Sequence, residues 1–172
     1  MFAVGSKVVH PLHGIGTVET FEHGVILGQT CDFACITFQE GGLHVKVNIN
    51  SKSFNVRPLV EKSEIDKILA HMETETETLP PRSSDRYNFN MRKVMSCDIY
   101  QLAEVIRDLT ALSKSHKITP KEQQMLKQAR KNMALEFSYI TDQDEETFES
   151  EIDEICRGEK KIRGEGCAGE LR

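Results

Sequence analysis

Tryptophan is missing from this 172-residue chain, and aromatic residues of any kind make up only 6% of it. No indole is available to stack on a base or plug an interface, and the aromatic stock is eight Phe and three Tyr. Long apolar runs are missing too. No stretch approaches the ~18 apolar residues that a membrane-spanning helix needs, and the first residues lack the basic stretch and apolar core of a secretory signal, so a cytoplasmic protein with no membrane partner is expected. Cysteines are few, odd in number and irregularly placed, at 31, 35, 97, 156 and 167, which suits reduced thiols better than a disulfide framework. No P-loop, dinucleotide fingerprint or nucleophile–base pair appears. The expectation is therefore a binding protein, with no enzymatic activity, cofactor or small-molecule substrate.

A zinc site is the one catalytic alternative. Cys31 and Cys35 lie four apart on an expected strand, with His10, His13, His23 and His44 nearby in sequence. Zinc pairs normally sit as C-x2-C or C-x4-C on a turn, and strand residues four apart splay. Small, partly buried hydrophobes fit these cysteines better, and no metal is expected. A stand-alone reader of modified peptides would need an aromatic cage, for which the first sixty residues offer Phe2, Phe21, Phe33, Phe38 and Phe54.

What is present is unevenly charged. The net charge of −5 hides a balanced first third (residues 1–60, net zero), an acidic stretch over 61–81, a basic segment over 82–131 with eleven cationic and five acidic side chains, and a strongly acidic one over 132–156. A basic segment of that size is either an electrostatic footprint for nucleic acid or a solvated helical face.

The period of the apolar residues changes near position 60. Val8-Val9, Thr17 to Phe21, Cys31 to Phe38 and Leu43 to Ile49 read as strands. Between the first two, Pro11, Gly14 and Gly16 build a tight corner. In the last strand Leu43, Val45, Val47 and Ile49 point one way, and His44, Lys46 and Asn48 the other. From Ser63, a plausible N-cap, helical spacing takes over with Ile65, Ile68, Leu69 and Met72. The Glu-Thr repeat from Glu73 to Thr78, ending in Pro80-Pro81, reads as a solvated loop. A helix near Ser84 is expected to turn Tyr87, Met91, Val94 and Met95 inward. Asp98 with Gln101, and Thr119-Pro120-Lys121-Glu122, are capping signals for two more helices. A last acidic helix spans about Asp144 to Cys156. The expected class is α+β: residues 1–60 a small SH3- or Tudor-like β-barrel of about five strands, 61–157 an all-α domain, and 158–172 a disordered tail.

Several words in this order resemble the CarD/CdnL family of bacterial RNA polymerase-binding transcription regulators. They are Val4-Gly5, Val8-Val9-His10-Pro11-Leu12-His13-Gly14-Ile15-Gly16 and Val56-Arg57, followed by Arg86-Tyr87, Ala103-Glu104-Val105-Ile106-Arg107-Asp108-Leu109, and Glu122 through Met125-Leu126 to Ala129-Arg130. The resemblance implies an N-terminal domain that docks on the RNA polymerase β subunit by a sheet edge. Lys46 stands at one basic contact position, with His44 and Asn48 on its face, while Gly24 stands at a second. It also implies a helical domain that offers basic side chains to promoter DNA and wedges a tryptophan into the minor groove. Here Ser83 occupies the wedge position, and Asp85 and Asn88 replace basic residues.

The cations left for phosphates are Arg86, Arg92, Lys93, Lys127, Arg130 and Lys131, with Arg82 beside them. Three or four such contacts give weak, salt-sensitive binding, sufficient once the barrel is tethered to polymerase. Phe89 and Tyr87 are the candidates for a substitute wedge, and Glu104, Arg107 and Asp108 are expected to pair locally on a helix surface. The function implied is modulation of promoter open complexes. The alternative is a polymerase-binding protein that has lost the DNA-wedging contact.

Overall fold

The computed structural model describes residues 2–51 and 55–159. Phe54 and the expected tail beyond Glu159, Cys167 included, lie outside them. Strands β1 (Lys7–His10), β2 (Gly14–Ile26), β3 (Gln29–Phe38), β4 (His44–Asn48) and β5 (Arg57–Pro58) form one antiparallel sheet in the order β4-β3-β2-β1-β5. The five expected strands are there, but in an open sheet: among the described residues nothing pairs β5 with β4. β5 is two residues long, and Pro58 has no N–H to extend a ladder. The core of this half is Val8, Val18, Ala34, Ile36, Phe38 and Val56, with Val45, Val47 and Ile49 packed against it. Leu43, expected on the same face, is exposed just ahead of β4. The sheet is tightest at Gly16, where a Cβ would lie 2.6 Å from Ile36 and 2.9 Å from the Phe38 ring.

Among the described residues five helices follow: α1 (Ile65–His71), α2 (Ser83–Met95), α3 (Ile99–Ser115), α4 (Pro120–Thr141) and α5 (Glu145–Arg157). Asp98 caps α3 by accepting from the Tyr100 amide at 2.9 Å. Thr119 and Glu122 close a full capping box at α4, with Pro120 at its first position. The Ser63 cap does not form, because Lys62–Glu64 is a 3-10 turn leading straight into α1. Ile106, Leu109, Met133, Phe137 and Ile152 fill the centre of the helical core.

Helix α2 is rotated from the face its apolar residues suggest. It buries Arg86, Asn90 and Val94, while Tyr87, Met91 and Met95 are half-buried. The reason is an ion pair: Arg86 Nε and Nη2 donate to the two carboxylate oxygens of Glu122, at 2.5 and 3.1 Å. Arg107 and Asp108 also lie inside, not on a helix surface. They pair at 2.7 Å, and Arg107 reaches Thr74 at 2.6 Å while Asp108 accepts from the Glu77 amide at 3.3 Å. The Glu-Thr loop is thus exposed but pinned at two points.

The two halves are joined through α4. Arg57 of β5 donates two 2.6 Å hydrogen bonds to Glu136, which also accepts from the Val60 amide. Asn132, one turn earlier, donates to the Pro11 carbonyl at 2.8 Å. Burial opposes the charge on Arg57, but the bonds to Glu136 outweigh it and hold its pKa above the ordinary value. The crevice behind these contacts, lined by Val9, Arg57, Cys97 and Glu136, is packed down to about 20 Å³. No helix among the described residues is long and apolar enough to cross a membrane.

Candidate functional site

Two surfaces carry the features that the sequence singles out. The first is the sheet margin at β4. Among the described residues it pairs with β3 on one side, from Thr37↔His44 to Phe33↔Asn48, and with no strand on the other. Its outer side therefore offers backbone donors and acceptors to an incoming strand, apart from the Asn48 carbonyl, which accepts from the Ser51 amide at 3.2 Å. Lys46 is exposed and bonded at 2.6 Å to Glu22 of β2. That bond holds the lysine above and the glutamate below their usual pKa values. His44 meets Thr37 Oγ1 at 2.8 Å, and Asn48 Oδ1 accepts from the Asn50 amide at 2.9 Å. All three candidate contact residues therefore lie on the same strand but already have partners within the chain. Solvent screens the Lys46–Glu22 pair, so an incoming carboxylate can compete for the lysine.

The second surface lies on the helices, where the expected phosphate-binding residues divide into two groups. Lys127, Arg130 and Lys131 come together in a groove of about 560 Å³ between α3, α4 and α5, joined by Lys114, Lys117 and Arg157. Lys127 is exposed. Arg130 is held inside: one Nη lies 2.7 Å from Asp153 Oδ1, off the hydrogen-bond direction, and the other donates to Thr110 at 2.7 Å. Lys114 and Lys117 sit in the basic stretch 82–131, but their place beside α4 depends on the turn after α3, which charge counting does not reveal.

The other three residues are elsewhere. Arg86 is buried against Glu122 and the carbonyls of Pro80 and Pro81. Despite its own burial, Glu122 is held below the ordinary carboxylate range, chiefly by Arg86. Lys93 bonds Glu77 and Glu104, and it lies 4.9 Å over the Phe89 ring. Burial opposes its charge, but the two carboxylates raise its pKa. Arg92 is exposed, with its guanidinium 6.0 Å from the same ring.

Both surfaces fall within segments that match known sequences. Residues 2–60 match the family description CarD-like/TRCF RID domain, and residues 67–153, half of the chain, match CarD, C-terminal domain. The chain belongs to the CarD family. It is also 28% identical over 142 residues to a Bacillus subtilis (strain 168) protein named "Putative transcription factor YdeB", covering 81% of this chain and 92% of that protein. CarD-like/TRCF RID domains are RNA polymerase-interacting, and the RID match supports a polymerase partner.

Around the positions that the CarD resemblance singles out as contact sites, the surroundings are as follows. Gly24 lies under the ring of Phe33, where a Cβ would come within 2.9 Å of a ring carbon, so a basic side chain there would displace the phenylalanine. Ser83 is exposed at the first turn of α2, beside Tyr87, Thr119 and Pro120. Asp85 and Asn88 are exposed nearby. Phe89 is covered by its two cations, and Tyr87 packs against the helical core. His10 and His13 stack on each other at 4.6 Å, and the Phe38 ring meets His10 edge-on at 5.7 Å and His13 at a tilt at 5.2 Å. Burial and His13 push the His10 pKa down to about 4. Among the described residues no three His, Cys, Asp or Glu side chains converge as a metal site.

Proposed function

We propose that this protein docks on the RNA polymerase β subunit through the β4 margin and modulates promoter open complexes by weak, tethered DNA contacts from its helical half. The observation that carries this reading is the open side of β4 within the segment matched to the RID domain. Backbone pairing supplies the docking, and Lys46, His44 and Asn48 flank it. On the helical half, the cations best placed for phosphates are Lys127 of the α4 groove with Lys114 and Lys117, and Arg92 on α2, while Lys131 lines the same groove. Arg130 contributes charge from within the groove wall. Arg86 and Lys93 would reach DNA only by leaving carboxylates that hold them in place.

Binding to core RNA polymerase, followed by hydroxyl-radical footprinting of polymerase–promoter complexes, tests both halves of the proposal. Expected is protection upstream of the melted region that weakens when Lys117 and Lys127 are reversed to Glu. Each lost phosphate contact lowers the slope of log K against log salt by about one. No association with core polymerase rejects the docking. Association without any DNA protection selects a second reading, a polymerase-binding protein without DNA contact, which the exposed Ser83 and the burial of Arg86 favour.

A further inference from the structure

The distal half of the β2–β3 hairpin is built against the ordinary rules for an exposed loop. β2 and β3 pair from Gly16↔Phe38 out to Ile26↔Gln29, whereas β1 reaches no further along β2 than Thr17, and β4 with the Ile49 and Asn50 that follow it no further along β3 than Asp32. Beyond those points the hairpin is a two-stranded ribbon, which is marginal in water unless something covers it. Its two-residue turn, Leu27-Gly28, has φ of +50° and +80°. Positive φ at both central positions defines a turn that favours Asn-Gly or Asp-Gly, because asparagine and aspartate tolerate the left-handed region. Here leucine takes the asparagine place, and it is 99% exposed. Val25 is 70% exposed beside it, and Ile26 is 43% exposed. From Gly24 through Cys31 there is no charged side chain: Gln29 and Thr30 are the polar residues of the stretch, and the His23–Asp32 pair marks where ionisable side chains resume.

We infer that this tip is an anchor that inserts into an apolar, uncharged recess of RNA polymerase next to the strand that pairs with β4. The inference rests on the polymerase-docking reading and adds a second contact to it. Two observations direct the tip to polymerase. β3 is at once a strand of the ribbon and, among the described residues, the one strand that pairs with β4, so a surface that pairs with the outer side of β4 lies alongside the ribbon. The ribbon also belongs to the segment matched to the polymerase-interacting domain. The uncharged tip selects an apolar recess rather than an acidic patch. The Phe33 ring over Gly24 extends the apolar surface along the ribbon.

Substitution of Leu27 by Asn separates binding from folding, because Asn suits this turn better than Leu. With the full chain and purified core RNA polymerase, L27N is expected to keep or raise the melting temperature while weakening affinity by about tenfold or more, the worth of one fully buried leucine. L27M, equally apolar, should bind within about twofold of the parent protein. If the parent binds and L27N binds equally well, the anchor is refuted while the docking stands. If the parent fails to bind core polymerase, the docking itself is refuted. Loss in L27N of self-association, or of binding to promoter DNA alone, with polymerase affinity unchanged would also overturn the anchor.

Discussion

Removing Glu122 tests whether Arg86 belongs to the fold or to a DNA-binding face. The carboxylate is fully buried and takes both Arg86 bonds, and its Oε2 also accepts from the Thr119 amide and hydroxyl at 2.8 Å each. In Glu122→Ala the guanidinium keeps only the longer contacts to Pro80 and Pro81. Breaking a buried pair on one side costs roughly 3–5 kcal/mol, and losing the reciprocal cap adds about 1 kcal/mol. Against a total stability of about 5–15 kcal/mol, this removes a large share of the folding free energy. At about 2–4 °C per kcal/mol for a chain of this size, the melting temperature should fall by roughly 10–20 °C.

Urea titration followed by circular dichroism measures the loss. Replacing both partners, Arg86→Met with Glu122→Leu, should recover at least half of it, because neither charge is then stranded. The carboxylate is held below its ordinary pKa, so its contribution is present at neutral pH and disappears as pH falls below about 4.5. A loss under about 1 kcal/mol in Glu122→Ala would refute the reasoning and return Arg86 to the DNA-contact candidates.

Three further outcomes follow from the same geometry. Gly16→Ala should destabilise the chain by about 1–3 kcal/mol, because the new Cβ collides with Ile36 and Phe38; an unchanged urea midpoint would show that the sheet relaxes freely. His10 is held near 4 against 6.5, so it favours the folded state fully above pH 6.5 and progressively less down to about pH 4. After discounting for its partial exposure that is worth about 1–2 kcal/mol, and the stability slope over that interval should flatten in His10→Gln. Glu136→Gln weakens the bidentate contact with Arg57, and calorimetry should then resolve two transitions where the parent shows one; a single unchanged transition would show that the two halves do not depend on it.

Regular apolar spacing made much of the architecture legible before any coordinates. The order of strands and helices and the capping box at Thr119 and Glu122 follow from period and capping chemistry alone. The misreadings in the helical half at α2 and at Arg107–Asp108 share one physical cause. α2 orients by Arg86 and Asn90 instead of Tyr87 and Met91, because an ion pair made 36 residues apart outranks local apolar spacing. Arg107 and Asp108 are buried for the same kind of reason. A cation in the sequence carries no mark of whether a carboxylate awaits it, so Arg86 and Lys93 look the same as Lys127 until the chain is folded. The Ser63 cap failed because its turn was already taken by the 3-10 segment. Barrel closure depends on the pairing of β5, which its two residues leave undecided in the sequence.

Helix α4 carries the groove cation Lys127 near its start and the clamp residues Asn132 and Glu136 further along. At 1.5 Å per residue, Lys127 and Glu136 are about 14 Å apart along the axis, and the clamp ties that spacing to the sheet. Whatever the sheet grips and whatever the groove holds are therefore kept at a set offset, as if by the jaws of a caliper. One residue inserted between them would swing the groove by about 100°. Both halves could then fold soundly and still work in different directions.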